Sequence, residues 1–282
     1  MKKILTTVIC LVAAFVLIGL HDAHAVTISD NFNDLDDTNN PAWTHLTGDA
    51  NSTGQTFSAA TGEYRLTAPA NGFITGGVQY GFAGSYVGAP ATTYTDVTVE
   101  GILTQPASGL FYGVAARLNG NNAFNALKGY LYAFEQNISQ PAGVGEMVMF
   151  DVNGLNVGDM GNDGPASRFV TLDLANKDYW FRLYISGNTL HGKVREFLND
   201  GNVEDDPLVA YQTKTDLTVP YASGFSGVAG VGAKLTQSPF TDLPLDFTID
   251  NFNTFEAPEP TTSLLLVCGA GAMLLSRRRR KR

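Results

Sequence analysis

Tyr179-Trp180-Phe181-Arg182-Leu183-Tyr184-Ile185-Ser186, then Gly187-Asn188, then Thr189-Leu190-His191-Gly192-Lys193-Val194-Arg195 alternates in polarity on both sides of a turn dipeptide. A period of two sends successive side chains to opposite faces of a strand, and a Gly-Asn pair suits a two-residue hairpin loop. With that loop, Ile185 faces Leu190, Leu183 faces Gly192 and Phe181 faces Val194, an apolar set that belongs on a core. The other face pairs Tyr184 with His191, Arg182 with Lys193 and Trp180 with Arg195. Asn153-Gly154 is a second turn dipeptide; it predicts Val152 opposite Leu155 and Phe150 opposite Val157, all four buried.

The alternation extends over residues 26–257, where no 3.6-residue apolar stripe lasts longer than two turns. Runs such as 93–103, 109–118, 129–136, 146–152 and 247–255 lie between Gly, Asn, Asp and Pro clusters. About a dozen such runs predict an all-β body, two antiparallel sheets packed as a sandwich or jelly roll. With 282 residues, 44% of them hydrophobic and 16% charged, the chain can bury a sizeable core. Residues 26–257 hold 10 of the 18 Lys/Arg and 25 of the 27 Asp/Glu, a net of −15 that argues against a nucleic-acid partner. Both cysteines, Cys10 and Cys268, lie outside that body, which therefore has neither disulfide nor thiolate-held metal.

The two ends read differently. Met1-Lys2-Lys3, the apolar run from Ile4 to Leu20 and the small-residue site Ala23-His24-Ala25 predict a signal peptide over residues 1–25, with export of the body. At the other end, residues 258–282 hold Pro258-Glu259-Pro260, an apolar stretch from Leu264 to Leu275 and the basic tail Arg277-Arg278-Arg279-Arg280-Lys281-Arg282. A short helix ahead of a cationic cluster predicts a membrane stop, transient or permanent, with the body outside. This three-part tail resembles the PEP-CTERM sorting signal. The resemblance implies an exosortase as processing partner and delivery to the cell surface or an exopolysaccharide matrix; a plain C-terminal anchor is the other reading.

The order of the strand segments resembles the concanavalin A-like lectin/glucanase superfamily in its LamG-like form. It rests on Asp30-Asn31-Phe32, the run from Tyr94 to Glu100, Gly113-Val114-Ala115-Ala116-Arg117, the hairpin above and Ile249-Asp250-Asn251-Phe252. It implies a curved sheet suited to glycans, hydrolase activity in some members, and first and last strands lying side by side. There Asp30 and Asp250 could share a structural Ca²⁺, or merely cap turns. No Glu-x-Asp-x-Glu triplet of the laminarinase type occurs. Asp96 and Glu100 share a strand face about 13 Å apart, too far for a hydrolytic pair, and Glu204-Asp205-Asp206 reads as a turn. With only His45 and His191 in the body, nucleophile schemes and zinc sites lack parts.

Non-enzyme is therefore the expectation. Trp180, Arg182, Tyr184, His191, Lys193 and Arg195, with Arg117 from a neighbouring run, are the candidate glycan contacts. Arg182 opposite Lys193 is a like-charge pair that needs an anion, supplied by a polysaccharide or by carboxylates of neighbouring strands. Tyr130, Tyr132 and Phe134 share one strand face and read as core. The chain as a whole reads as an exported, non-catalytic surface or matrix protein that contacts glycan. A hydrolase or lyase with unrecognised residues and a purely structural matrix protein are the alternatives.

Overall fold

A computed structural model describes residues 27–256 apart from 40, 47–52, 73, 76, 88–94, 120–125, 138, 155, 164–167, 218–220, 222 and 236–241. The signal peptide with Ala23 and Ala25, the Pro258-Glu259-Pro260 motif, the apolar helix and the basic tail lie outside the described residues. Within them the chain is all-β: β1 Thr27–Asp30, β2 Trp43–His45, β3 Thr56–Ser58, β4 Tyr64–Ala68, β5 Ile74–Thr75 and β6 Val78–Val87. Next come β7 Val97–Ser108, β8 Phe111–Leu118, β9 Lys128–Gln136, β10 Val144–Asn153, β11 Asn156–Asp159 and β12 Phe169–Thr171. The last are β13 Asp178–Ser186, β14 Thr189–Phe197, β15 Leu208–Lys214, β16 Phe225–Leu235, β17 Asp242–Leu243 and β18 Leu245–Glu256.

These strands form two antiparallel sheets. The first runs β15-β14-β13-β7-β18-β4-β3, with β1 added to β18; the second runs β11-β10-β9-β8-β16-β6-β2, with β12 on β10, β17 on β16 and β5 on β6. The core between them interleaves Phe181, Leu183, Ile185, Leu190 and Val194 of the first sheet with Tyr130, Tyr132, Phe134, Met147 and Met149 of the second. The aromatic run of β9 is thus core, as expected. Hydrogen bonds cross the same space: Tyr64 Oη to Ser85 Oγ at 2.7 Å, and Gln212 Nε2 to the Met147 carbonyl at 2.6 Å. A second apolar cluster, including Leu131, Val148, Phe150 and Phe111, occupies the opposite face of the second sheet, so all eight residues of β8 are buried.

The decisive hairpin forms in the predicted register, from Trp180 opposite Arg195 to Ser186 opposite Thr189. Gly187 takes φ +54° at the first loop position, where a positive φ costs glycine nothing. The other hairpin corrects the expectation. Val152 faces Val157 and Asn153 faces Asn156, so the ladder runs on through Asn153 and the register slips by two residues. Its cause is that Asn153 stays in the ladder opposite Lys128, which hands the first loop position to Gly154 at φ +64°. An even slip preserves the face, so Phe150 and Val152 remain buried.

Two bulges matter for the candidate residues. Arg117 takes φ +52° where β8 carries one residue more than β16 between the pairs Leu118–Phe225 and Ala115–Gly227. Asn251 takes φ +47° where β18 gains a residue on β7 between Asp250–Ile102 and Asn253–Glu100. Each inserted residue reverses the alternation beyond it.

Candidate functional site

The outer face of the β13–β14 hairpin brings the predicted residues together, and the chain itself supplies their counter-charges. Arg182 Nη2 lies 2.9 Å from Glu100 Oε2 on β7, and its Nη1 lies 2.7 Å from Glu204 Oε1 in the turn before β15. Glu204 Oε2 also accepts from Lys193 Nζ at 3.0 Å and Arg195 Nη2 at 3.4 Å. The like-charge pair is thus answered by carboxylates rather than requiring a ligand. Trp180 is only 4% exposed, with the Arg182 guanidinium 4.3 Å above its ring, so it is no open platform. His191 stacks on Tyr184, with ring centroids 5.7 Å apart, and its Nδ1 lies 3.1 Å from Tyr211 Oη; burial lowers its pKa.

Glu204 gives this face a pH signature. Its hydrogen bond from Lys193, reinforced by the neighbouring guanidinium groups, holds its carboxyl below the ordinary value. A depressed acid stabilises the fold above its unfolded pKa and loses that contribution as pH falls through the folded one. Glu204→Gln is expected to lower the urea midpoint at pH 7, with the gap from the native protein closing as pH drops below about 4. An undiminished gap at low pH would contradict this account.

A further expectation is corrected. Arg117 is 2% exposed and donates to the carbonyls of Thr95 at 2.7 Å, Tyr221 at 3.0 Å and Gly187 at 3.0 Å. It ties three segments together below the surface and contacts no ligand face. Asp30 and Asp250 do lie on adjacent strands, β1 and β18, and each carboxylate accepts from a nearby backbone amide, that of Phe32 and that of Asn251. Asp30 is buried and accepts from Trp43 Nε1 at 2.7 Å and from the Phe32 amide at 2.8 Å. The bulge at Asn251 separates Asp250 from core-facing Phe252, the residue opposite Asp30. Among the described residues no group of three or more His, Cys, Asp or Glu is placed to hold a metal.

A recess that the sequence reading did not single out lies on the outer face of the second sheet. Antiparallel pairing sets Phe111, Glu135, Glu146 and Phe169 in one row across β8, β9, β10 and β12. Glu135 and Glu146 border a cleft of about 590 Å³ together with Tyr80, Leu110, Asn137 and Phe169. Phe169 is 78% exposed. Gln136 shapes one wall: its Nε2 donates to the carbonyls of Asn137 and Pro141, each at 2.9 Å, and its Oε1 accepts from the Gly143 amide at 2.8 Å. Arg168 binds both Glu146 and Asp159. Burial, then the facing Glu146 charge, pushes the Glu135 carboxyl above its ordinary value. Among the described residues no hydrogen bond or ion pair reaches the Glu135 carboxylate.

No protein-family model and no curated protein matches the chain. Among solved structures it is similar to the VIP36 exoplasmic/lumenal domain in a Ca²⁺/Man3GlcNAc-bound form, at 12% identity and TM-score 0.47 over 83% of this chain and 91% of that one. It is also similar to a laminarinase from Flavobacterium sp. UMI-01, at 16% identity and TM-score 0.48 over 81% of this chain and 98% of that one. A third is a β-1,3-1,4-glucanase (lichenase) derived from a mouse hindgut metagenome, at 10% identity and TM-score 0.49 over 82% and 98%.

Proposed function

We propose that the chain is an exported carbohydrate-binding protein that holds a sugar in the cleft between β9, β10 and β12 without turning it over. On this reading an exosortase sorts it to the cell surface or exopolysaccharide matrix. The observation that carries the site is the exposed Phe169 ring beside the paired carboxylates of Glu135 and Glu146 in one recess. A flat apolar ring takes the C–H face of a pyranose, while carboxylates accept from its hydroxyls, and the volume suits a small ligand. The hairpin face is the weaker candidate because its cations are already paired and Trp180 is covered.

Phe169→Ala is expected to weaken glycan binding about tenfold in affinity electrophoresis, while Lys193→Ala leaves retention unchanged. Retention lost only in the Lys193 variant would return the site to the hairpin. Hydrolysis is the second reading, and one observation favours it. Directly opposed residues have Cβ atoms about 4.5–5.5 Å apart, and retaining glycosidases hold their carboxyls about 5–5.5 Å apart. Against it stands the Arg168 ion pair on Glu146, which occupies one member of the couple. Shorter oligosaccharides appearing in the same incubations, and vanishing with Glu135→Gln, would replace binding by turnover.

A further inference from the structure

We propose that the cleft selects glycans bearing a free, protonated amine, that is, amino sugars whose nitrogen is not acylated. The inference rests on the cleft being the sugar site and concerns which sugar it takes. The chain treats two like-charge cross-strand couples differently. On the hairpin, Arg182 and Lys193 receive Glu100 and Glu204. In the cleft, Glu135 faces Glu146, and Arg168 is engaged with Glu146 and Asp159. One guanidinium thus pairs with two of three neighbouring carboxylates and acts on the third, Glu135, only through space; Glu135 has no ion-pair partner among the described residues and borders the open volume. Like charges directly opposite each other repel, and a partly desolvated carboxylate gains most from a cation brought to it.

A metal ion is a poor candidate for that cation, since the described residues place no three ligating side chains together. An ammonium group needs less: one carboxylate as acceptor, and an aromatic face nearby to take the sugar ring or the cation itself. Phe169, directly opposite Glu146, supplies that face. A uronic acid would bring a third carboxylate to the same recess. A neutral sugar would cover Glu135 without compensating its charge. The net −15 of residues 26–257 adds long-range attraction for cationic chains but selects no position along them.

The test titrates the full chain with the hexamer of glucosamine, the hexamer of N-acetylglucosamine, cellohexaose and hexagalacturonate at pH 6.5 and physiological salt. The glucosamine hexamer is expected to bind best. Glu135→Gln should cut its affinity about tenfold, the loss of one charge-assisted hydrogen bond, and leave the acetylated hexamer unchanged. Glu196→Gln, which removes a charge paired with Lys177 far along the hairpin, should have no such effect. Equal loss in the Glu135 and Glu196 variants would mean general attraction only and overturn the proposal. So would equal affinity for the two hexosamine oligomers, or an unchanged glucosamine affinity in Glu135→Gln. If Phe169→Ala still weakens every oligomer in those cases, the cleft remains the sugar site and only the amine selection falls. If Phe169→Ala weakens none, the site assignment falls as well. A thermal midpoint for Glu135→Gln at or above that of the native protein, expected on losing a desolvated charge, confirms that the variant is folded.

Discussion

Arg117→Met is expected to lower the thermal midpoint by roughly 10 °C, far more than loss of a surface ion pair should. The guanidinium satisfies carbonyls of Thr95, Gly187 and Tyr221 and lies 3.6 Å from Asp96 Oδ1. A methionine of similar length keeps the packing and removes every donor, leaving several buried acceptors unpaired at about 1–3 kcal/mol each, partly relieved by relaxation. Burial lowers the Arg117 pKa, the mark of a charge held away from water. Arg117→Lys should recover only part of the loss, because one ammonium cannot reproduce the fork that reaches three carbonyls in different directions. Differential scanning calorimetry of both variants decides the matter: a Met variant within about 2 °C of the native protein would mean that solvent replaces the clamp freely.

The second large effect is expected at Gly192. Valine is a better strand former than glycine, and Gly192 sits mid-strand opposite Leu183 and Gln212, so local preference alone would favour Gly192→Val. Packing opposes it. A Cβ on Gly192 would lie 2.4 Å from the Tyr132 ring, which projects from the other sheet into the space the missing side chain leaves. Overpacking a filled core costs about 1–3 kcal/mol, and Gly192→Val is expected near the upper end in urea unfolding. The double variant Gly192→Val with Tyr132→Ala should be well more stable than the sum of the two losses implies, because each change relieves the other. Strict additivity would show that the ring moves aside without cost.

The hairpin register was legible because two constraints agreed. Alternation fixed which residues of 179–195 face inward, and a loop of two residues fixed which of them meet. At Asn153-Gly154 the dipeptide named the turn but not its centre; the ladder to β9, a non-local partner, decided that. Alternation also misleads where both faces are covered: β8 is buried throughout, and its small residues report close neighbours on each side. Arg117 looked available because a bulge conformation leaves no mark in composition. Glu135 and Glu146 were missed although a signal existed. Each ends the apolar row opposite the core-facing side chains of its strand, Leu131-Ala133-Glu135 on β9 and Glu146-Val148-Phe150-Val152 on β10. Pairing the two strands about the turn between them brings those ends together.

That row of Phe111, Glu135, Glu146 and Phe169 crosses strands of unequal importance to the sheet. The two acids stand on long interior strands whose replacement would disturb neighbours on either side. Phe169 stands on a three-residue strand that, among the described residues, pairs with β10. Substitutions at the rim can therefore accumulate without loss of folding while the acidic floor stays fixed. Divergent descendants of this chain would be expected to change which sugar outline they accept sooner than which charge they demand.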